Sequence, residues 1–312
     1  MLKLPIAKRA KLGSTQAGQA LLIVLLTMSV ILSVVLSAVS RSVTEVSVTS
    51  YEENATRAFS AAEAGVEQAL LTGQGSGGDL GSSTQYITTV VTTPSGANEF
   101  RYPVDLISGQ SATFWFVSHD DTTGTLTCGA GKPCLRANRI NICWGAPGTP
   151  GGSPNTPAIE VSVFYDANYT AVYTGNYSAV KVARAAFDPN SSRHTSNNFS
   201  DITTGCTITG TSYPYAFSTG DIGIQPGQDI PITCFNDTGC LLAAKVRMFY
   251  NDSSPQPLFI RVFPTGGSLP AQGTQIDSTG TAGESSRRVN VFQSYPEAPF
   301  DVAVSSLKDL VK

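Results

Sequence analysis

The chain reads as α+β: a long N-terminal helix, then an antiparallel, β-rich globular domain that carries disulfides. Three observations give this reading. No proline interrupts Gln19 to Leu71, and apolar residues there recur at helical spacing. From Gly73 onward, clusters of Gly, Ser, Asn and Pro separate short runs rich in β-branched and aromatic residues. All six cysteines lie between Cys128 and Cys240, an even number in one part of the chain. The sequence divides as residues 1–18, a basic leader; 19–40, a membrane-length helix; 41–72, an amphipathic continuation of it; and 73–312, the β-rich domain.

The leader carries Lys3, Lys8, Arg9 and Lys11 and no acidic residue. From Leu12 to Ser40 there is no ionisable side chain. Ala20 to Val39 is apolar apart from Thr27, Ser29, Ser33 and Ser37. As a helix that stretch is roughly 30 Å long, the thickness of a bilayer core. The hydroxyls are tolerable there because each can bond a backbone carbonyl one turn back. The positive leader predicts a cytoplasmic N-terminus, with everything after Arg41 outside. Three processing schemes fit. One is a cleaved secretory signal, with the small residues Ser37-Ala38-Val39-Ser40 at its end, although the apolar run exceeds a usual signal core. A second is an uncleaved anchor. The third is a cut on the cytoplasmic side after Gly18, leaving Gln19 first and keeping the apolar segment.

Beyond Arg41 the apolar residues Val43, Val46, Tyr51, Ala55, Ala58, Phe59, Ala62, Val66, Ala69 and Leu70 recur in steps of three or four. Ser42, Thr44, Glu45, Glu52, Glu53, Arg57, Glu63 and Glu67 occupy much of the other face. One helix of about 80 Å can therefore run through both parts. Gly73, Gly75, Gly77 and Gly78 end it.

These residues carry a family resemblance. Gly18-Gln19-Ala20-Leu21-Leu22-Ile23-Val24, followed by Arg57-Ala58-Phe59-Ser60-Ala61-Ala62-Glu63-Ala64-Gly65, resembles the N-terminal region of PilX-type minor pilins of type IV pili. The likeness covers residues 13–72. It implies cleavage by a prepilin peptidase between Gly18 and Gln19, and an assembly helix that includes Ile23, Phe59, Ala62 and Glu63. It also implies a subunit that sits in the lipid bilayer before assembly. The implied partners are other pilins and minor pilins, the peptidase and an inner-membrane assembly platform; the implied roles are pilus assembly, priming or adhesion at a bacterial surface. Two positions depart from most pilins. The first mature residue is Gln19 rather than Phe or Met, and the fifth is Ile23 rather than glutamate. K-type pseudopilins of type II secretion are similar in lacking that glutamate. The resemblance thus implies a rare or tip subunit rather than the bulk pilin. The contrasting expectation is a membrane-tethered binding module or hydrolase that never enters a filament.

About 240 residues follow the helix, enough for one core or two lobes. Charged residues make up 14% of the chain and the net charge is −3, without a basic patch, which argues against nucleic-acid binding. Strands are expected at Gln85–Thr92, Phe100–Leu106, Thr113–Ser118, Arg139–Trp144, Ala158–Tyr165, Val180–Phe187, Leu241–Tyr250, Pro257–Phe263 and Arg287–Gln293. Long irregular stretches are expected at Gly145–Pro157 and Asp188–Gly205.

Cys128/Cys134 and Cys234/Cys240 share one spacing with turn residues between them, so each pair can close a small loop. Cys143 and Cys206 would then pair, although sequence leaves the connectivity open. With only two histidines and no usual knuckle spacing, a zinc site is disfavoured. No cofactor or metal site is expected, and no catalytic motif is present. His119-Asp120-Asp121 reads as a polar turn closing a strand rather than a base with its orienting carboxylate. Phe235-Asn236-Asp237-Thr238-Gly239 and Tyr250-Asn251-Asp252-Ser253 could offer oxygens to calcium but read as turns. Asn168 and Asn176 stand in Asn-x-Ser/Thr sequons, which carry little meaning if the chain is prokaryotic, as the pilin resemblance implies.

Overall fold

A computed structural model describes residues 16–93, 97–120, 122–207 and 214–296. The basic residues of the leader lie outside these. Helix α1 spans Gln16–Thr72. It stops where Gly73 takes a φ of +68°, a left-handed turn that glycine adopts without strain.

Strands β1 (Gly77–Gly81) and β2 (Thr84–Thr93) follow the helix, with an irregular register between Asp79 and Gly81. Next come β3 (Glu99–Arg101), β4 (Ser111–Trp115), β5 (Ser118–His119), β6 (Leu126–Thr127), β7 (Arg136–Trp144) and β8 (Ala158–Tyr165). The short helix α2 (Thr170–Tyr173) precedes β9 (Lys181–Phe187); a 3-10 turn at Ser191–Arg193 and α3 (His194–Asn197) come after it. The chain then forms β10 (Thr203–Thr207), β11 (Pro214–Ser218), β12 (Ile222–Gly223), β13 (Leu241–Phe249), β14 (Leu258–Gly266), β15 (Gly273–Ala282) and β16 (Ser285–Ser294).

The chain divides into two compact units. The first contains the chain through Leu71 together with Ser76–Thr88 and Ser278–Val289. The second contains Thr72–Gly75, Thr89–Asp277 and the chain from Asn290. A four-stranded sheet has the order β1-β2-β15-β16.

The second unit is a β-sandwich. One sheet has the order β10-β11-β7-β14-β3, with β12 also paired to β7; the other has the order β4-β13-β8-β9. Alternation along the strands fills the space between them. Ile140, Ile142 and Trp144 of β7 and Leu258, Ile260 and Val262 of β14 meet Phe114 of β4, Val161 and Val163 of β8 and Val246 and Met248 of β13 in one buried cluster. A smaller cluster joins Trp115, Val117, Leu126, Phe164, Val172 and Leu242.

The cysteines pair as Cys128–Cys134, Cys143–Cys206 and Cys234–Cys240. The sequence expectation for β8 matches its observed bounds, and β2, β7, β9, β13, β14 and β16 lie within a few residues of theirs. The expected Phe100–Leu106 strand shrinks to the three residues of β3, with Leu106 making a lone bridge to Gln256. Thr113–Ser118 is split between β4 and β5. Strands β1, β6, β10, β11, β12 and β15 lie outside the expected set.

Candidate functional site

Helix α1 is the most distinctive surface. Every residue from Gln19 to Glu53 is exposed, including Leu21, Ile23, Leu25, Ile31, Val35 and Val39. It is long and apolar enough to cross a membrane. Thr27, Ser29 and Ser33 donate to the carbonyls of Val24, Leu26 and Val30 at 2.8–2.9 Å, so these hydroxyls are satisfied inside the helix. Past Ser40 the helix remains bare, with Val43 and Val46 among its exposed residues.

Burial begins at Ala58. Within the first unit Ala58, Ala61, Ala62, Val66 and Ala69 are buried, as is Gly65. The packing partner dictates these small residues. A methyl group on Gly280 of β15 would overlap the Ala58 carbonyl oxygen and crowd the Ala62 amide nitrogen. A methyl on Gly65 would overlap the hydroxyls of Ser278 and Thr88, which bond each other at 2.9 Å beneath it. Helix backbone and strand backbone are therefore nearly in contact, which only Gly, Ala and Ser permit. Closer to the membrane-length part, the Tyr51 hydroxyl donates to Glu284 at 3.2 Å in the turn between β15 and β16.

The predicted assembly residues fall into two groups. Ala62 is buried in the helix–strand contact, whereas Ile23, Phe59 and Glu63 are exposed. Phe59 and Leu70 were expected on the buried face; both are nearly half exposed, at 46% and 45%. The close approach explains this, because a large side chain would hold the backbones apart. The Gly18–Gln19 bond lies in the first turn of α1, where N–H groups lack intrahelical partners and fraying is easy.

Elsewhere the candidate side chains are committed to local structure. His119 is buried, stacked on Tyr295 with centroids 4.0 Å apart and edge-on to Trp115 at 4.5 Å. Burial, and secondarily the Lys132 charge, lowers its pKa to about 4. Its Nδ1 has no hydrogen-bond partner among the described residues. Asp120 instead accepts bonds from Thr122 and Thr123 and closes a turn; the Thr123 N–H leads in lowering its pKa. Asp121 lies outside the described residues. In the two segments read as turns, Asp237 accepts from the Tyr169 hydroxyl at 2.8 Å and Asn236 from Thr265 at 2.7 Å. Asn251 donates to the carbonyls of Leu106 and Ser254. Asn168 and Asn176 are exposed.

The two long irregular stretches are fastened together by a residue that the sequence reading passed over. Asp188 is fully buried and accepts from Arg193 on both carboxylate oxygens, from the Asn190 N–H and from Asn197 Nδ2. Arg193 also donates to the Pro154 and Thr156 carbonyls, across in the 145–157 loop, and lies 3.9 Å from the Tyr250 ring centroid. The available signal was local. Asp-Pro-Asn at 188–190 favours a turn, and an arginine five residues after an aspartate can return to it once the turn forms.

No protein-family model, curated protein or solved structure matches the chain.

Proposed function

We propose that the chain is a type IV pilin-like minor subunit, made as a membrane-anchored precursor and cut after Gly18. It would then assemble through α1 and display its β-rich part outside the cell. The observation that carries this reading is the continuity of α1. An apolar, wholly exposed segment runs without a break into a stretch whose small residues bury against the strands that follow. A disposable secretion signal needs no such continuity, and a simple tether needs no small-residue face packed on strands. The Arg57–Gly65 block, with its pilin-like pattern, lies where this burial occurs. Its alanines provide the close approach to the strand, which gives the pattern a physical reason. Disulfides in the second unit suit an oxidising exterior.

The absence of a carboxylate at Ile23 favours a rare or tip subunit, because it removes one polar docking contact from a repeating interface. In this reading the β-sandwich serves priming or surface contact.

The decisive measurement is the mature N-terminus, from intact mass or N-terminal sequencing of chain made in a host with a prepilin peptidase. Gln19 as first residue is the expected result. A chain beginning near Val39 to Arg41, or an uncut Met1, refutes the proposal. Within purified filaments the protein should be a minor component; finding it as the most abundant subunit refutes the minor role.

A further inference from the structure

We propose that the outer face of the β4-β13-β8-β9 sheet binds an anionic polysaccharide, whose carboxylates are seated on Arg184, Lys245 and Arg247. This deepens the surface-contact role proposed above by naming the chemistry of what is touched.

The face is defined by alternation. Val161 and Val163 of β8, Ala244 and Val246 of β13, and Ala183 and Ala185 of β9 pack into the sandwich core. Glu160, Ser162, Lys245, Arg247 and Arg184 therefore lie on the other face. The register sets their places. Ser162 stands opposite Arg184 on one side and Lys245 on the other, so the two cations flank it with backbones roughly 10 Å apart. Two residues along, Arg247 stands opposite Glu160. Arg184 and Arg247 are exposed and Lys245 is half-buried. One Glu160 oxygen pairs with Arg184 at 3.5 Å and accepts from the Ser162 hydroxyl at 3.2 Å. Arg247 stands 5.5 Å from the Phe249 ring centroid.

This charge is out of character for the chain. The four strands hold four basic residues, Lys181 with these three, and one acidic residue, Glu160, while the whole chain has a net charge of −3. Gathering like charge on one face costs stability, and a single carboxylate offsets only part of it. An incoming anion offsets more. No run of basic residues announces the patch, because Arg184 and Lys245 are 61 residues apart in sequence.

The setting narrows the kind of anion. Arginine forks grip carboxylates with two parallel hydrogen bonds. Strands β8 and β13 each have neighbours on both sides, so no peptide can join them as an extra strand, and recognition falls to side chains. The patch is a few strands wide and seats one or two anionic groups, whereas duplex DNA is held through many phosphates. Hydroxyls lie among the cations: Ser162 between two of them, and Thr113 of β4 opposite Lys245. Sparse acid groups set among hydroxyls are the matching composition, and that is a polysaccharide built of sugar acids.

The test is retention of the full chain, in detergent at about 50 mM salt, on immobilised polygalacturonate, with neutral dextran as the control. Retention on polygalacturonate alone, lost at about 500 mM salt, is the expected result. Arg247→Gln and Lys245→Gln should each weaken binding about two- to fivefold, and the double variant at least about tenfold. Glu160→Gln should tighten it about two- to fivefold, because it removes the carboxylate that competes for Arg184. A variant that misfolds would lose binding rather than gain it, so this sign separates a binding face from a structural one. Equal retention on dextran, unchanged binding by the double variant, or no gain with Glu160→Gln overturns the inference. Stronger retention on duplex DNA or on polyglutamate overturns it in favour of a nucleic acid or an acidic protein. Failure to bind by a chain that starts at Gln19 leaves the pilin-like reading standing; binding by a chain that starts elsewhere leaves this inference standing without it.

Discussion

Replacing Arg193 with alanine should destabilise the second unit by about 3–4 kcal/mol, a large share of the 5–15 kcal/mol typical of a domain. The substitution removes both bonds to Asp188, one each to the Pro154 and Thr156 carbonyls, and the stacking on Tyr250. Asp188 is fully buried, so its carboxylate cannot recover the loss from solvent. Breaking one side of a buried ion pair costs about 3–5 kcal/mol. The lower part of that range applies because Asn190 and Asn197 continue to donate to Asp188. The Pro154 carbonyl belongs to an exposed residue and can be rehydrated, but Thr156 is buried and its orphaned carbonyl adds about 1 kcal/mol. Urea unfolding of the full chain in detergent, followed by fluorescence of the buried Trp115 and Trp144, gives the comparison. Arg193→Lys keeps the charge but cannot reach both loops in a fork, so it should recover only part of the loss. A drop below about 1 kcal/mol for the alanine variant, or full recovery with lysine, refutes the clamp.

Gly280→Val should weaken the first unit by at least ~2 kcal/mol, because the new side chain can be seated only by shifting α1 away from β15. Gly152→Ala, where an added methyl meets nothing within 4 Å, should be close to neutral in the same urea titration; equal effects would discredit the close-packing argument. Acidification should act through His119. Its folded pKa of about 4 lies below the 6.5 of the unfolded chain, so its contribution is fully present above pH 6.5 and lost as pH falls towards 4. The loss should reach roughly 2–3 kcal/mol. His119→Gln should flatten the stability profile between these pH values; an unchanged slope would rule out the imidazole as its source.

The helix was legible because it is long, apolar and free of proline, and most of the sandwich because its strands are written in apolar periodicity; the apolar face expected beyond Arg41 is not what packs, since Val43, Val46 and Tyr51 are exposed. Strand β8 alternates so strongly, with its inner residues committed to one core, that its limits could be read from the residues alone. Strand β15 carries no such signal. Its buried positions include Ser278 and Gly280, selected for small size against a helix backbone rather than for hydrophobicity. Hydropathy patterns cannot register a position chosen for what it lacks. The same cause misplaced Phe59 and Leu70: an apolar residue was assumed to face inward, while the real contact admits only small side chains. The disulfide pairs followed spacing because two of the three loops are short. The Arg193 clamp stayed hidden because, although Asp188 is five residues away, the loop carbonyls it fastens lie 37–39 residues away along the chain.

The order β1-β2-β15-β16 leaves the sheet with two open margins, each a row of backbone donors and acceptors open to pairing with another strand. The β1 margin is glycine-rich and broken in register at Asp79–Gly81, so no straight ladder can extend from it. The β16 margin carries adjacent exposed arginines, Arg287 and Arg288, which would meet their own copies across any self-pairing seam. In the assembly proposed above, a subunit that joins its neighbours through α1 needs that route to outrun the others. With strand-to-strand templating discouraged at both margins, the proposed assembly would be left to the helix.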